Sequence, residues 1–180
     1  MSKVYDKDYR IDVDRVLSEL EWLPMYDAQI SLQTVEGHKG DPDYGTGKLK
    51  ELNHIESDFT VPLFPKFEYI NEIMKDLELC RTRVMKMVPH QCYSYHVDPT
   101  RRIHIPLITD EKCMMIIDDE VIRLPADGKH YITDTRKLHT AMNCSNIERI
   151  HIVGCMLEDY DDKLTAVSYT HLTLPTRRFV

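Results

Sequence analysis

The feature that most constrains the fold is a succession of short β-rich segments in the second half of the chain. Between residues 83 and 156, runs rich in β-branched and sulfur-containing side chains alternate with turn signals. This spacing is typical of an antiparallel sandwich or barrel and argues against alternating βαβ units. The predicted strands are 83–88, 92–97, 103–108, 113–117, 120–124, 129–133 and 149–156.

Three details refine this β-rich region. Pro106 lies inside a predicted strand and indicates a strand edge or a bulge, because proline cannot donate a ladder hydrogen bond. Asp118 and Asp119 have the character of a tight turn between two hairpin strands, and Asp127 with Gly128 opens another turn.

The first half of the chain carries the helical signals. Apolar residues recur at helical spacing over residues 13–23, where Pro24 ends the run, and again over residues 65–79. The segment 38–48 lies between them and contains three glycines and Pro42, so we predict a surface loop or lid there.

Length and charge limit the class of protein. The 180 residues suffice for one domain, which we place at residues 1–167 with its motif-bearing core at 83–156. A formal net charge of −7 without a basic block argues against nucleic-acid binding. No apolar run is long enough for a membrane span and no secretory signal is evident, so we expect no membrane partner.

Two further features concern the cysteines and the C-terminus. The five cysteines are odd in number and form no C-x-x-C pair, so we expect reduced thiols in a cytoplasmic protein.

The segment 168–180 lacks periodicity and resembles translated adapter sequence, so we predict a non-native tail there. The sequence leaves the oligomeric state open.

The sharpest chemical pattern is Tyr95-His96-Val97-Asp98-Pro99. In an extended strand, residues two apart point to the same face, so His96 and Asp98 can enter one cavity. Together with a second histidine from a distant strand they would form the 2-His-1-carboxylate triad that suits Fe(II).

His139 and Arg149 complete this pattern. His139 lies at the expected start of a late strand, and Arg149 follows ten positions later, at the opening of an apolar strand. A guanidinium inside a sheet requires an anion, because an unpaired buried charge is costly. Arginine grips carboxylates in a two-pronged fork, so Arg149 suits the distal carboxylate of 2-oxoglutarate.

The stretch RVMKMVPHQCYSYHVDPTRRIHIPLITD, followed by HTAMNCSNIERIHIVG, resembles the aspartyl/asparaginyl β-hydroxylase-like family of 2-oxoglutarate/Fe(II)-dependent dioxygenases. The sequence is similar to small members of phage or bacterial type, and the resemblance covers residues 83–156. It implies a mainly β protein: a double-stranded β-helix, or cupin-like jelly roll, with supporting N-terminal helices.

The resemblance also implies roles for individual residues. His96, Asp98 and His139 would be the catalytic residues and hold the iron, and Arg149 would bind 2-oxoglutarate. Arg102 and His104 match a family position that contacts the co-substrate or the substrate, although a structural salt bridge would explain Arg102 equally well. His151 could support Arg149 from the same strand face.

The function expected from this resemblance is hydroxylation of an amino-acid C–H bond. The cofactors would be Fe(II), 2-oxoglutarate as co-substrate and O2, and 2-oxoglutarate would be converted to succinate. The substrate would be an Asp or Asn side chain of a peptide, or a free amino acid such as proline. Two alternatives stay open at this point: a cupin-type metalloenzyme that does not use 2-oxoglutarate, and a non-catalytic jelly-roll binding module.

Overall fold

The structure is a computed structural model, and it describes residues 3–4, 6–49 and 52–157. The predicted tail at residues 168–180 therefore lies outside the described residues. Within them, two helices and eleven strands follow one another. The helices are α1 (Val13–Leu20) and α2 (Glu68–Asp76), and the first strands are β1 (Gln29–Ser31), β2 (Gln33–Thr34), β3 (Val61–Pro62) and β4 (Leu79–Met87). The others are β5 (Gln91–Cys92), β6 (Arg102–Ile108), β7 (Cys113–Ile117), β8 (Glu120–Ile122), β9 (Tyr131–Thr133), β10 (His139–Asn143) and β11 (Arg149–Met156).

The strands form two main antiparallel sheets. The larger has the order β1-β4-β11-β6-β9, and the smaller has the order β5-β10-β7-β8. Strands β2 and β3 pair separately as a small ribbon. Met87 of the larger sheet packs into an apolar cluster with Met115 and Ala141 of the smaller one, so the inner faces of the two sheets meet. The fold is a mainly β cupin-like double-stranded β-helix, as predicted.

The outer face of the five-stranded sheet is apolar and carries the helices. Ile103, Ile105 and Leu107 of β6 share one buried cluster with Ile152 of β11 and with the helix residues Val16 and Ile70. Because side chains alternate along a strand, the intervening residues of β6 and β11 point into the barrel. This alternation places Arg102, His104, Arg149 and His151 on the inner face.

Local signals explain the helix boundaries. Asp12 caps α1 by accepting a hydrogen bond from the Arg15 N–H at 3.1 Å. The Glu19 carboxylate accepts the N–H groups of Tyr69 and Ile70 at 2.8 and 2.9 Å, which ties α1 to the start of α2. Both helices end earlier than predicted. After α2, Glu78 takes a positive φ of 51° and Leu79 already belongs to β4.

The turn predicted at Asp118 and Asp119 is confirmed, and at the second predicted turn the chain bends at residues 127–128 with a positive φ of 75° at Gly128. Asp118 and Asp119 connect β7 to β8, and Asp118 adopts a positive φ of 52°. The register of β6 against β11 shifts next to Pro106, which indicates the predicted bulge, and β9 pairs with β6 only through residues 102–104. The five cysteines are free, three of them buried and two exposed.

Candidate metal centre

His96 and His139 are brought together by a single antiparallel bridge. The His96 N–H donates to the His139 carbonyl at 3.0 Å, and the His139 N–H donates to the His96 carbonyl at 2.9 Å. Two residues later, the Asp98 N–H donates to the Thr135 carbonyl at 2.9 Å. The segment that carries His96 and Asp98 is thus fixed against the residues that lead into β10.

The predicted strand at 92–97 is wrong in its extent. Strand β5 covers only Gln91–Cys92. The Tyr93 N–H still donates to the Ala141 carbonyl at 3.0 Å, and among residues 94–101 only His96 forms a bridge. Strand alternation therefore does not explain why His96 and Asp98 converge. The two anchoring points on the segment before β10 provide that explanation.

The three predicted ligands converge in space. One ligand atom each from His96, Asp98 and His139 lies within 4.8 Å of the others. The Nδ1 of His96 lies 2.8 Å from the Ser94 carbonyl oxygen, and that of His139 lies 2.9 Å from the Lys137 carbonyl oxygen. A carbonyl only accepts, so each Nδ1 carries a proton, and in the neutral tautomer the lone pair that can bind a metal is on Nε2.

This donor set fits a divalent transition metal. Carbonyl acceptors behind both imidazoles fix the rings and their tautomer in the way that metal sites generally require. Two imidazole nitrogens and one carboxylate are the ligands of non-haem Fe(II) sites that keep open positions. Burial lowers the pKa of His139, which favours the neutral form that can bind a metal. His96 is exposed, so one side of the site faces solvent.

Asp98 is held by a buried ion-pair network. Arg102 donates from Nη2 to Asp98 Oδ1 at 3.1 Å, while Asp98 Oδ2 lies 3.7 Å from His139 Nε2. Arg102 also binds both oxygens of the Glu56 carboxylate, at 2.8 and 3.1 Å. One guanidinium therefore connects Glu56 to the carboxylate of the candidate metal site.

Glu56 is a site residue that sequence reasoning missed. It lies in a 3-10 helix (Glu56–Asp58) and also accepts hydrogen bonds from Arg81 at 2.7 Å and from Thr100. Burial alone would raise the pKa of Glu56, but Arg102, Thr100 and Arg81 outweigh it, so the pKa is lowered. Nothing in its local sequence distinguishes this acid from exposed ones, because its partners lie far along the chain.

Arg149 opens β11 on the inner face and is almost fully buried. It donates to the His151 Nδ1 at 3.0 Å and to the Met87 sulfur at 3.3 Å. Neither partner carries a negative charge, and burial lowers the pKa of Arg149 to about 10, which still leaves it charged at neutral pH. Within the described residues no carboxylate pairs with this guanidinium.

Other unpaired polar atoms surround Arg149. His151 Nδ1 accepts from Arg149, so its proton is on Nε2, which is buried and has no partner. The Tyr93 hydroxyl and both ring nitrogens of His104 are also buried without partners. A shallow crevice reaches Arg149 and His151 and is otherwise lined by Thr109 and by apolar and sulfur side chains between residues 113 and 124. Such donors around a cation are suited to an anionic ligand.

The other two predicted cofactor contacts, His104 and Arg102, differ in their surroundings. His104 packs edge to face on His151, with ring centroids 5.7 Å apart. Burial and the nearby Arg149 charge hold the pKa of His104 well below its usual value. Arg102 has its two terminal nitrogens engaged by Glu56, Asp98 and Thr100, as the salt-bridge explanation anticipated.

The sequence of the chain carries a family signature. The family model described as aspartyl/asparaginyl beta-hydroxylase matches residues 56–157, which is more than half of the chain. The chain belongs to the aspartyl/asparaginyl β-hydroxylase family. The match begins at Glu56 and ends one residue after β11, so it contains every site residue described above. No curated protein matches the chain.

Solved structures of low sequence identity are also similar. A cupin domain from Bordetella pertussis Tohama I is 13% identical with a TM-score of 0.37, covering 42% of this chain and 78% of that one. A predicted oxalate decarboxylase from Thermotoga maritima is 18% identical with a TM-score of 0.38, covering 48% and 73%. A double-stranded β-helix protein from Klebsiella pneumoniae is 20% identical with a TM-score of 0.37, covering 46% and 72%.

In the part of the chain that the structure describes, no helix is long and apolar enough to cross a membrane.

Proposed function

We propose that the protein is an Fe(II)- and 2-oxoglutarate-dependent dioxygenase that hydroxylates a C–H bond of an amino acid, free or within a peptide. The observation that carries the proposal is the combination of two features in one barrel. His96, Asp98 and His139 present a metal-ligand set, and the inner face also holds Arg149, a buried guanidinium that pairs with no carboxylate of the described residues.

Each residue then has a definite task. His96, Asp98 and His139 would hold Fe(II), and the carbonyls of Ser94 and Lys137 keep the two rings aimed at it. Arg149 would bind the far carboxylate of 2-oxoglutarate, assisted by the His151 Nε2–H. When bound, the iron, 2-oxoglutarate and O2 supply the oxidising chemistry, with succinate as a product.

The protein contributes positioning and exclusion of water. Arg102 fixes the rotamer of Asp98 and is itself fixed by Glu56, so the carboxylate ligand is oriented before the metal arrives. The apolar and sulfur side chains between residues 113 and 124 line the crevice next to Arg149. This lining strengthens the Arg149–carboxylate attraction, because the local dielectric is low.

The principal alternative is a cupin-type metalloenzyme that does not use 2-oxoglutarate. Arg149 discriminates between this enzyme and the dioxygenase. Such an enzyme would use the same ligand set without needing a buried cation next to it. The charge of Arg149 and the unpaired donors around it favour the dioxygenase. An intact ligand set also argues against a non-catalytic binding module.

The test is a stepwise anaerobic titration of the metal-free protein with Fe(II) and then with 2-oxoglutarate. We expect binding of Fe(II) by calorimetry, followed by a visible charge-transfer absorption on addition of 2-oxoglutarate. His139→Ala should lose tight Fe(II) binding and keep the fold. Arg149→Gln should keep Fe(II) binding and weaken 2-oxoglutarate binding by about tenfold to a hundredfold. Fe(II) binding without any 2-oxoglutarate binding would favour the rival metalloenzyme.

A further inference from the structure

Five arginines are buried in the described residues, and they fall into two groups. Arg81 and Arg102 share the Glu56 carboxylate, and Arg101 lies 4.0 Å from Asp134. Arg83 and Arg149 have no carboxylate within ion-pair distance among the described residues. Arg149 is accounted for by the proposed function, which leaves Arg83 unexplained.

Arg83 is as deeply buried as the paired arginines, with 6% of its surface exposed. Its Nη1 donates to the Gln29 side-chain oxygen at 3.1 Å, and its Nε is buried without a partner. Burial is the first cause that lowers the pKa of Arg83 to about 10, and the like charge of Arg81 is the next. A guanidinium in this environment remains charged, so its burial is costly until an anion joins it.

The strand register separates Arg83 from Arg149. Arg83 pairs with Val153 of β11, and Val153 pairs with His104 of β6, so these three residues form one row across the sheet. Arg149 pairs with Met87, four residues further along both strands. At about 3.3 Å per residue, the two rows are about 13 Å apart along the strands.

The row of Arg83 is the one closer to the candidate metal site. Arg102, which contacts Asp98, pairs with Cys155, the next inner-face position of β11 beyond Val153. The loop that precedes residue 50 also reaches this side of the barrel. Gln29 accepts the Gly47 N–H at 3.3 Å, and Arg81 donates to the Gly45 carbonyl at 3.1 Å. Arg83 therefore lies between the metal end of the barrel and this loop.

The number of negative charges decides what Arg83 can bind. 2-Oxoglutarate has two carboxylates, and the proposed function assigns one to the metal side and the other to Arg149. We propose that Arg83, positioned by Gln29, forms a second anion subsite that binds a free carboxylate of the substrate. This inference rests on the proposed function and selects substrates such as a free amino acid or an Asp side chain over the neutral Asn amide.

The experiment compares acids with their matched amides. The protein is loaded with Mn(II), with and without 2-oxoglutarate, and titrated with common L-amino acids, acidic dipeptides and the carboxamide of each. We expect at least one acid to bind and its amide to bind about tenfold to a hundredfold more weakly, the range that charge-assisted hydrogen bonds provide. Arg83→Gln should abolish this preference. The surface variant Arg10→Gln should retain it.

A second variant keeps the test valid if Arg83→Gln does not fold. Gln29→Glu retains the acceptor that Arg83 and Gly47 use and places a permanent carboxylate next to the guanidinium. We expect this variant to melt at a higher temperature than wild type and to bind the acid at least tenfold more weakly. If Gln29→Glu, in which Arg83 is still present, loses acid binding, then the loss is caused by the change of charge at this subsite.

Several outcomes overturn the proposal. They are equal binding of acid and amide, an acid preference that persists in Arg83→Gln or in Gln29→Glu, and no binding by any acid in the panel. In each case Arg83 would be a structural residue of the barrel. Failure of the proposed function has a different signature, because 2-oxoglutarate would then not bind to wild type, whatever the result of the acid–amide comparison.

Discussion

The two faces of the five-stranded sheet are built on opposite rules. The outer face packs aliphatic side chains such as Ile105 and Ile152 against the helices, in one continuous apolar cluster. The inner face of the same strands carries Arg83, His104, Arg149 and His151, with several buried polar atoms unpaired. The outer face stabilises the fold through apolar burial. The buried charges on the inner face lower that stability, and the same charges can bind ligands.

A related contrast exists within the inner face itself. Glu56 pairs with both Arg81 and Arg102, and Arg102 in turn holds Asp98, so these two guanidiniums belong to the framework of the site. Where no carboxylate is present, the guanidiniums of Arg83 and Arg149 stay available. The buried arginines that pair with an acid therefore support the fold, and those that do not can bind ligands.

The largest expected effect comes from removing the shared carboxylate. Glu56→Gln leaves Arg81 buried without a carboxylate and Arg102 with Asp98 alone, which should lower the free energy of unfolding by about 3–5 kcal/mol. Urea denaturation measures this change, and the exposed acid Glu72→Gln is the control, expected within about 0.5 kcal/mol. A loss as small as that of the control would mean that the Glu56 network is not a supporting element.

The outer face should be nearly as sensitive to truncation. Ile152→Ala removes a side chain that is 1% exposed and leaves a cavity against the helices, so we expect a loss of about 2–5 kcal/mol. Ile147→Ala, at an exposed position just before the same strand, should change stability by about 0.5 kcal/mol or less. Similar losses in both variants would contradict the assignment of the core to this face.

The inner-face histidines should make stability depend on pH. His104 and His151 have folded-state pKa values well below the usual value, with burial as the first cause and the Arg149 charge as the second. The unfolded chain therefore binds more protons, and stability is lost as pH falls below about 6.5, by up to about 1.4 kcal/mol per pH unit for each group. Denaturation midpoints of the metal-free protein between pH 7 and pH 5 measure this slope. In His151→Phe the slope should be less steep by up to about 1.4 kcal/mol per pH unit, because His104, His130 and His139 still titrate, and an unchanged slope would exclude His151 as a cause.

The smallest effect should have the opposite sign. Arg149→Met replaces an unneutralised buried charge with an apolar side chain and should stabilise the metal-free protein by about 1 kcal/mol or more. Arg102→Met should destabilise it, because Glu56 and Asp98 would lose their shared cation. Thermal melts of the two variants provide the comparison. A lower melting temperature for Arg149→Met would show that this guanidinium has a structural role.

Much of the fold could be predicted from the sequence because its signals are local. The β-rich segments, the Asp118–Asp119 turn and the bulge next to Pro106 follow from propensities and from proline geometry. The strands β1, β2 and β3 were missed, since short segments of two or three residues carry almost no periodic signal. The predicted ends of both helices were too late, because apolar residues continue at helical spacing beyond Leu20 and beyond Asp76, where Glu78 then takes a positive φ.

The sequence by itself determined the family and the candidates His96, Asp98, His139 and Arg149, because the spacing of a motif can be read along the chain. Only the tertiary structure decided which charges are neutralised. The Glu56 carboxylate meets Arg81 and Arg102 across 25 and 46 residues of chain, and Arg83 meets Gln29 across 54. No local pattern encodes such pairings, since they depend on how two sheets and a short helix pack together in space.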